Sequence, residues 1–228
     1  MTDAHPDHQG HHMPDHSAHD HAADGHDMGH VNAMAVSATL HCLTGCAIGE
    51  IAGLVIGTAA GLSNAVTIVI SIALAFVFGF SLSTLPLLKA GLSPGASLRV
   101  VVAADTLSIA TMEFVDNVVM AAIPGAMNAG LVNVLFWLGM MISLTAAFFA
   151  AYPVNRYLLQ RGKGHALTHD YHGATTAGGW RRRIPSWSTG ALVSTIVAFM
   201  LGGLLVSVAD ELASDNNSGS QAAGLLSS

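Results

Sequence analysis

The chain of 228 residues is 52% hydrophobic and only 10% charged, with a formal net charge of −6. Because soluble domains are about one quarter charged, this composition excludes an ordinary soluble protein and predicts an all-α, polytopic membrane protein. Six of the fourteen acidic residues lie within the first thirty positions, whereas all eight Lys and Arg lie between Lys89 and Arg183. An acidic tail of this kind excludes nucleic acid as an obvious partner and favours cations.

The first 36 residues are predicted to be a disordered tail, because they contain few large apolar side chains with which to offset chain entropy. Histidine and aspartate dominate the first thirty of them. Neutral imidazole is a common donor to transition metals, so the tail is predicted to bind metal weakly at several sites. A simple solvated tail is the alternative. The imidazoles belong to His5, His8, His11, His12, His16, His19, His21, His26 and His30.

Five apolar runs follow the tail, each close to the ~20 residues that cross ~30 Å of hydrocarbon. They are predicted to form a transmembrane helical domain over residues 37–209. The run that contains three acids is the weakest by hydropathy. The polar residues 210–228 are predicted to be a second disordered tail. The predicted spans are 40–60, 65–88, 98–123, 131–153 and 188–209.

The loops after the second and fourth runs carry the basic residues, which places both loops in the cytoplasm by the positive-inside rule. Without the third run, Lys89 and Arg156 would lie on opposite sides of the membrane, so five spans is the consistent number. The prediction is therefore a multi-pass protein of the bacterial inner membrane, with a cytoplasmic amino terminus and an external carboxyl terminus.

The first run, HCLTGCAIGEIAGLVIGTAAG, has a glycine at every fourth position from Gly45 to Gly61. A four-residue step advances only ~40° around a helix, so the glycines form one groove that favours close approach by another helix. Cys42, Cys46 and Glu50 follow the edge of this groove with the same spacing.

The third run places Asp105, Met112, Asp116 and Met120 within roughly 60° on a helix, with Glu113 beside them. An ionised acid at the centre of a span costs ~3 kcal/mol, and no Lys or Arg lies deep within a predicted span. The acids are therefore either protonated or compensated by a cation or water. Alternatively, they are hydrogen-bonded links between helices, with nearby polar side chains as partners: Thr106, Ser108, Thr111 and Asn117.

The two cysteines favour ligation of a soft metal, because thiolate and thioether are the ligands of Cu(I) and thiolate with imidazole also suits Zn. Met112, Met120, Met140 and Met141 could supply thioethers. Buried, inert cysteine and methionine side chains are a second interpretation, and a reversible dithiol is a third.

A further histidine group lies in the loop before the last run. His165, His169 and His172 would share one face if this segment were helical. Neighbouring glycines at 162, 164 and 173 argue against a helix, which leaves a solvated loop as the alternative.

Three motifs resemble a bacterial family of small polytopic membrane proteins, the domain-of-unknown-function 4396 family. They are HCxxGCxxGE, ADTxSIxxMExxDN and PVNRxLxxRGKGH, and the resemblance covers roughly residues 38–170. Because members of that family often carry His-rich amino-terminal tails, the resemblance implies an association with metals, and with copper first. The matching positions are His41, Cys42, Cys46, Glu50, Asp105, Glu113, Asp116, Asn117, Asn155, Arg156 and His165.

These features predict a non-enzymatic membrane protein that handles or transports a transition-metal ion. Copper is the first choice, with zinc, nickel and cobalt behind it, and the cytoplasmic tail makes outward movement the simplest direction. Five helices leave a small interior, so a homo-oligomer or a larger membrane complex in the lipid bilayer is expected. The alternatives are a membrane thiol-disulfide redox protein and a scaffold that packs helices in a larger complex. The predicted metal-site residues are His41, Cys42, Cys46, Glu50, Asp105, Met112, Glu113, Asp116 and Asn117.

Overall fold

The computed structural model describes residues 20–161, 179, 183–184 and 188–226. Five long helices account for most of this part of the chain, which contains no strand, so the predicted all-α bundle is confirmed. A short 3-10 helix, Ala126–Asn128, lies between the third and fourth helices. The long helices are α1 (Asp20–Ala59), α2 (Asn64–Lys89), α3 (Pro94–Ala122), α4 (Val134–Gln160) and α5 (Thr189–Leu226).

Four of these helices are long and apolar enough to cross a membrane, which makes the chain a multi-pass membrane protein. The apolar segments are Val31–Ala59 of α1, all of α2, all of α4 and Thr189–Asp215 of α5. By composition α3 is too polar to join them, although its 29 residues would extend about 43 Å. Its acids face inward while Leu107 and Phe114 are 56% and 71% exposed, so its outer surface is as apolar as lipid contact requires.

Two helices extend further than the apolar runs predict. Residues 20–36, predicted to be disordered, form the first turns of α1, and α5 continues through most of the predicted polar tail. Helix propagation adds one hydrogen bond per residue once a nucleus exists, so a helix started in the apolar run can continue into polar sequence. Because α1 extends beyond its apolar run, Cys42 lies near the middle of the helix and not at its end. It is about 16 Å along the helix axis from Val31.

The predicted glycine groove of α1 is filled by α2. A Cβ added at Gly45 or Gly49 would overlap the backbone of Gly79 or Ala75. Further along, Gly53 and Gly57 face the side chains of Ser71 and Thr67 in the same antiparallel register. At the turn, Gly61 has φ +63°, the left-handed region that glycine adopts without strain. Small residues therefore bring the two helix backbones into direct contact.

The remaining helices complete the bundle around α1, which contacts α2, α3, α4 and α5. At the amino-terminal end of its apolar segment, α1 is tied to α4 by a buried hydrogen bond, in which Asn155 Nδ2 donates to Thr39 Oγ1 over 2.9 Å. The last helix, α5, packs only against α1 and α4 among the described elements with more than marginal contact. Its Leu192 and Met200 add to the hydrophobic core that α1 to α4 form.

Candidate functional site

Three carboxyl groups from two helices meet inside the bundle. Glu50 of α1 faces Asp116 and Glu113 of α3, and Asp116 also lies beside Ser143 of α4. The exposed fractions of the three acids are only 9%, 6% and 4%, respectively. The predicted inward orientation of these acids is thus observed, and they form one group, which we call the acid cluster (Glu50, Glu113 and Asp116).

The acid cluster is short of hydrogen-bond partners. Both carboxyl oxygens of Glu50 and Glu113, and Oδ1 of Asp116, make no hydrogen bond in the described part of the chain. Buried polar groups are normally paired, and an unpaired group costs about 1–3 kcal/mol. A bound cation, a water molecule or a proton shared between neighbouring acids would satisfy these oxygens.

Two of the three hydroxyls predicted to link the acids, those of Thr106 and Thr111, bond to their own helix instead. Thr111 Oγ1 donates to the Leu107 carbonyl over 2.8 Å, and Thr106 makes the equivalent bond to Val102. The Asn117 amide donates to the backbone carbonyl of Glu113 over 2.9 Å, not to its carboxyl group. The interpretation of the acids as hydrogen-bonded links between helices therefore loses these three partners, while Asp116 itself lies beside Glu50 of α1 and Ser143 of α4.

A cavity of about 100 Å³ adjoins the acid cluster, which is room for a few water molecules or an ion with water. All three acids line it, together with the thioethers of Met120, Met127 and Met140. It extends towards the α1–α2 turn and the α3–α4 loop, where Asn64 forms part of its wall. At this rim Asn64 Nδ2 donates to Asn128 Oδ1 over 2.6 Å.

The two thiols lie on successive turns of α1, with exposed fractions of 0% for Cys42 and 1% for Cys46. Both are free. Cys46 lies beside Glu113 of the acid cluster, whereas Cys42 lies beside Asp105. Side chains four apart on a helix have Cβ atoms about 5–6 Å apart, wider than the 3.5–4.5 Å that a disulfide spans. The helix therefore disfavours an internal disulfide.

The other predicted site residues have different surroundings. His41 is half-buried and its Nδ1 lies 2.8 Å from the Ser37 carbonyl, about 100° around α1 from Cys42. Met112 is 1% exposed and belongs to the hydrophobic core. The half-buried Asn117 lines the cavity. The structure thus separates His41 from the cysteine face with which the sequence grouped it.

Many of the predicted histidine ligands lie outside the residues that the structure describes. These are the loop imidazoles His165, His169 and His172 and the tail residues His5, His8, His11, His12, His16 and His19. The last three histidines of the tail, His21, His26 and His30, belong to the first turns of α1.

Within the described part of the chain, no three His, Cys, Asp or Glu side chains are arranged to hold a metal ion together.

The thioether groups of methionine residues are additional possible metal donors at the cavity. The sequence predicted thioether donors at Met120 and Met140 but not at Met127, because Met127 lies on the short helix Ala126–Asn128, where no helical periodicity assigns it a face. The only sequence feature that pointed to Met127 was its position two residues after Gly125, in an uncharged connection between the third and fourth helices.

The part of the chain that forms this interior matches one known protein family. A family model described as a domain of unknown function (DUF4396) matches residues 31–164, more than half of the chain. The match includes the acid cluster, both cysteines and the cavity, and it ends before α5. No curated protein and no solved structure matches the chain. On the strength of the family match, the chain belongs to the DUF4396 family.

Proposed function

We propose that this protein handles a soft transition-metal ion within the membrane, with Cu(I) as the first candidate and zinc, nickel or cobalt behind it. One observation carries the proposal: three buried carboxyl groups with unpaired oxygens share a cavity with three thioethers. A bound cation would satisfy the oxygens and offset the cost of placing ionised acids in a membrane protein interior.

The donor chemistry supports a soft ion over Mg²⁺ or Ca²⁺. Thioether and thiolate sulfur select Cu(I), whereas hard cations take oxygen ligands alone. Met120, Met127 and Met140 line the cavity, and the Cys46 thiol lies beside Glu113 at its inner end. These four sulfur atoms would hold the ion, while the acid cluster would supply the compensating negative charge.

The position of the cavity also bears on the direction of entry. Its wall includes Asn64 at the start of α2 and Met127 and Ala129 in the α3–α4 loop. This end of the bundle is opposite the α2–α3 turn with its basic residue Lys89. If basic loops face the cytoplasm of a bacterial inner membrane, the ion enters from outside. This direction is the reverse of the one that the His-rich tail favours.

The two alternative functions receive less support. A scaffold that offers its glycine groove to another protein needs that groove open, and α2 fills it. A dithiol that cycles to a disulfide needs Cβ atoms closer than successive turns of one helix place them.

The direct test is Cu(I) binding to the full-length protein in detergent, measured by competition with a chromophoric Cu(I) chelator. We expect the double variant Glu50→Gln/Asp116→Asn to lose one high-affinity equivalent relative to the wild type. The substitutions preserve side-chain shape and remove buried like charges, so thermal stability should not fall. The exposed Asp210 of α5 provides the matched control, Asp210→Asn, which should bind as the wild type does. Unchanged binding in the double variant would contradict the proposal.

A further inference from the structure

A second polar group lies deeper in the bundle, around the thiol of Cys42. This side chain is fully buried and faces Asp105 and Ser108 of α3 and Ser83 of α2. The exposed fractions of these three neighbours are 0%, 0% and 5%. We call these four residues the inner group. None of them lines the cavity at the acid cluster.

The serine hydroxyls of the inner group are not used by the helices that carry them. Ser83 Oγ and Ser108 Oγ make no hydrogen bond among the described residues. Hydroxyls in helices commonly bond the carbonyl four residues earlier, as Thr44 and Thr84 do here over 2.7 and 2.6 Å. The two serines instead direct their hydroxyls towards the Cys42 thiol, at a depth where an unpaired hydroxyl is costly.

The inner group and the acid cluster occupy different levels along α1. Cys42 precedes Glu50 by eight residues, or about 12 Å along the helix. Cys46 lies between them, beside Glu113 and close enough to Cys42 for electrostatic interaction. Beyond the inner group, the Asn155–Thr39 hydrogen bond joins α4 to α1. This bond holds the two helices together on the side of the inner group away from the cavity.

We propose that the inner group is a second ion position, which takes a monovalent soft cation such as Cu(I) from the cavity by way of Cys46. The inference rests on the proposed function and adds a second station to it. The Cys42 thiolate and the Asp105 carboxylate are the ligands, and the thiol releases its proton to solvent when the ion binds. The hydroxyls of Ser83 and Ser108 donate hydrogen bonds to these ligands and hold them in place.

The experiment counts Cu(I) equivalents on full-length protein by chelator competition in three variants. Cys42→Ser should lose one equivalent, Glu50→Gln/Asp116→Asn should lose one, and the combined triple variant should lose two. Differences from the wild type are compared because the His-rich tail is present in every protein. If a single shared site existed, the triple variant would lose no more than either parent, and the inner position would be refuted.

The hydroxyls give an independent readout. In Ser83→Ala/Ser108→Ala, the affinity of one equivalent should fall about tenfold or more, as expected when ligand-orienting partners are removed. Ser97 of α3 is the matched control, since it is also fully buried and its Oγ is also unpaired. Ser97→Ala should leave both affinities unchanged. Equal effects of the two sets of variants would indicate a packing role for the serines and contradict the proposal.

Different experimental results would contradict the inner position and the proposed function. If Cys42→Ser binds as the wild type does while Glu50→Gln/Asp116→Asn loses an equivalent, the inner position is wrong and the cavity site stands. If neither changes binding, the proposed function itself is wrong. Thermal unfolding of each variant in detergent separates lost sites from lost folding.

Discussion

At the scale of single residues, small side chains and buried acids make opposite contributions to this bundle. Glycines on α1 allow contact between helix backbones, which gains packing energy in lipid. The acid cluster consists of carboxyl groups with unpaired oxygens in the same interior, which costs free energy. Close packing on one side of α1 thus coexists with a costly polar group on the adjacent side, an arrangement typical of functional interiors in membrane proteins.

The glycine contact predicts a large effect from a single methyl group. In Gly49→Ala the new Cβ would overlap the Ala75 backbone, so α1 and α2 must separate. Overpacking of this kind costs about 1–3 kcal/mol. We expect a lower midpoint in thermal unfolding in detergent. The control is Gly95→Ala in α3, where the Cβ would meet nothing within 4 Å; a similar fall in both variants would contradict the assignment.

At the scale of helices, α5 differs from the other four. It lies outside the residues that the family model matches and contributes nothing to the acid-cluster cavity. Apolar crevices of about 440 and 340 Å³ separate it from α1 and α4. Its closest fit is at Gly203, which lies against the indole ring of Trp137. This helix therefore lies outside the part of the chain that the family model matches. Besides the Trp137 contact, it is held by hydrogen bonds of Ser207 and Glu211 to Leu131 and Val134.

The contact with Trp137 can be broken without touching the interior. In Gly203→Ala the Cβ would overlap the indole ring, whereas at the adjacent Gly202 it would meet nothing within 4 Å. After tryptic cleavage at the exposed Arg183, the α5 fragment should dissociate more readily from Gly203→Ala than from Gly202→Ala. Cu(I) binding at the cavity should be unchanged in both. Equal dissociation in the two variants would show that the fit of Gly203 against Trp137 contributes little to holding α5.

Across the whole molecule, the buried acids and the basic residue Lys89 lie towards opposite ends of the bundle. The acid cluster lies in the half near the α1–α2 turn, and the opposite end is joined by Asn155 and Thr39. The cavity therefore adjoins one end of the bundle. Which end faces the cytoplasm decides whether the proposed ion enters from inside or outside.

Orientation can be measured with two matched serines. Ser63 and Ser93 are exposed residues that immediately precede α2 and α3, at opposite ends of the bundle. The native thiols are buried, so an introduced cysteine should dominate labelling. With a membrane-impermeant maleimide on intact bacterial cells, Ser63→Cys should react and Ser93→Cys should react only after permeabilisation. The opposite pattern would place the cavity mouth in the cytoplasm.

Much of the fold was predictable because lipid imposes simple rules on a sequence. Long apolar runs determine where helices cross, and the glycine spacing on α1 predicted close helix contact before its partner was known. The inward orientation of Glu113 and Asp116 followed from helical periodicity and the cost of acids in lipid. The helix ends were less predictable, because α1 and α5 continue into polar sequence where hydropathy gives no signal.

The features that could be read from the amino-acid order are local: an all-α membrane chain, a glycine face on one helix and acids on one face of another. Which groups meet depends on how the helices pack. The tertiary structure showed that α2 fills the glycine groove, that Cys46 belongs with the acid cluster while Cys42 belongs with Asp105, and that Met127 completes the cavity wall. Periodicity defines faces within a helix, whereas register and rotation between helices depend on side-chain packing across the whole bundle.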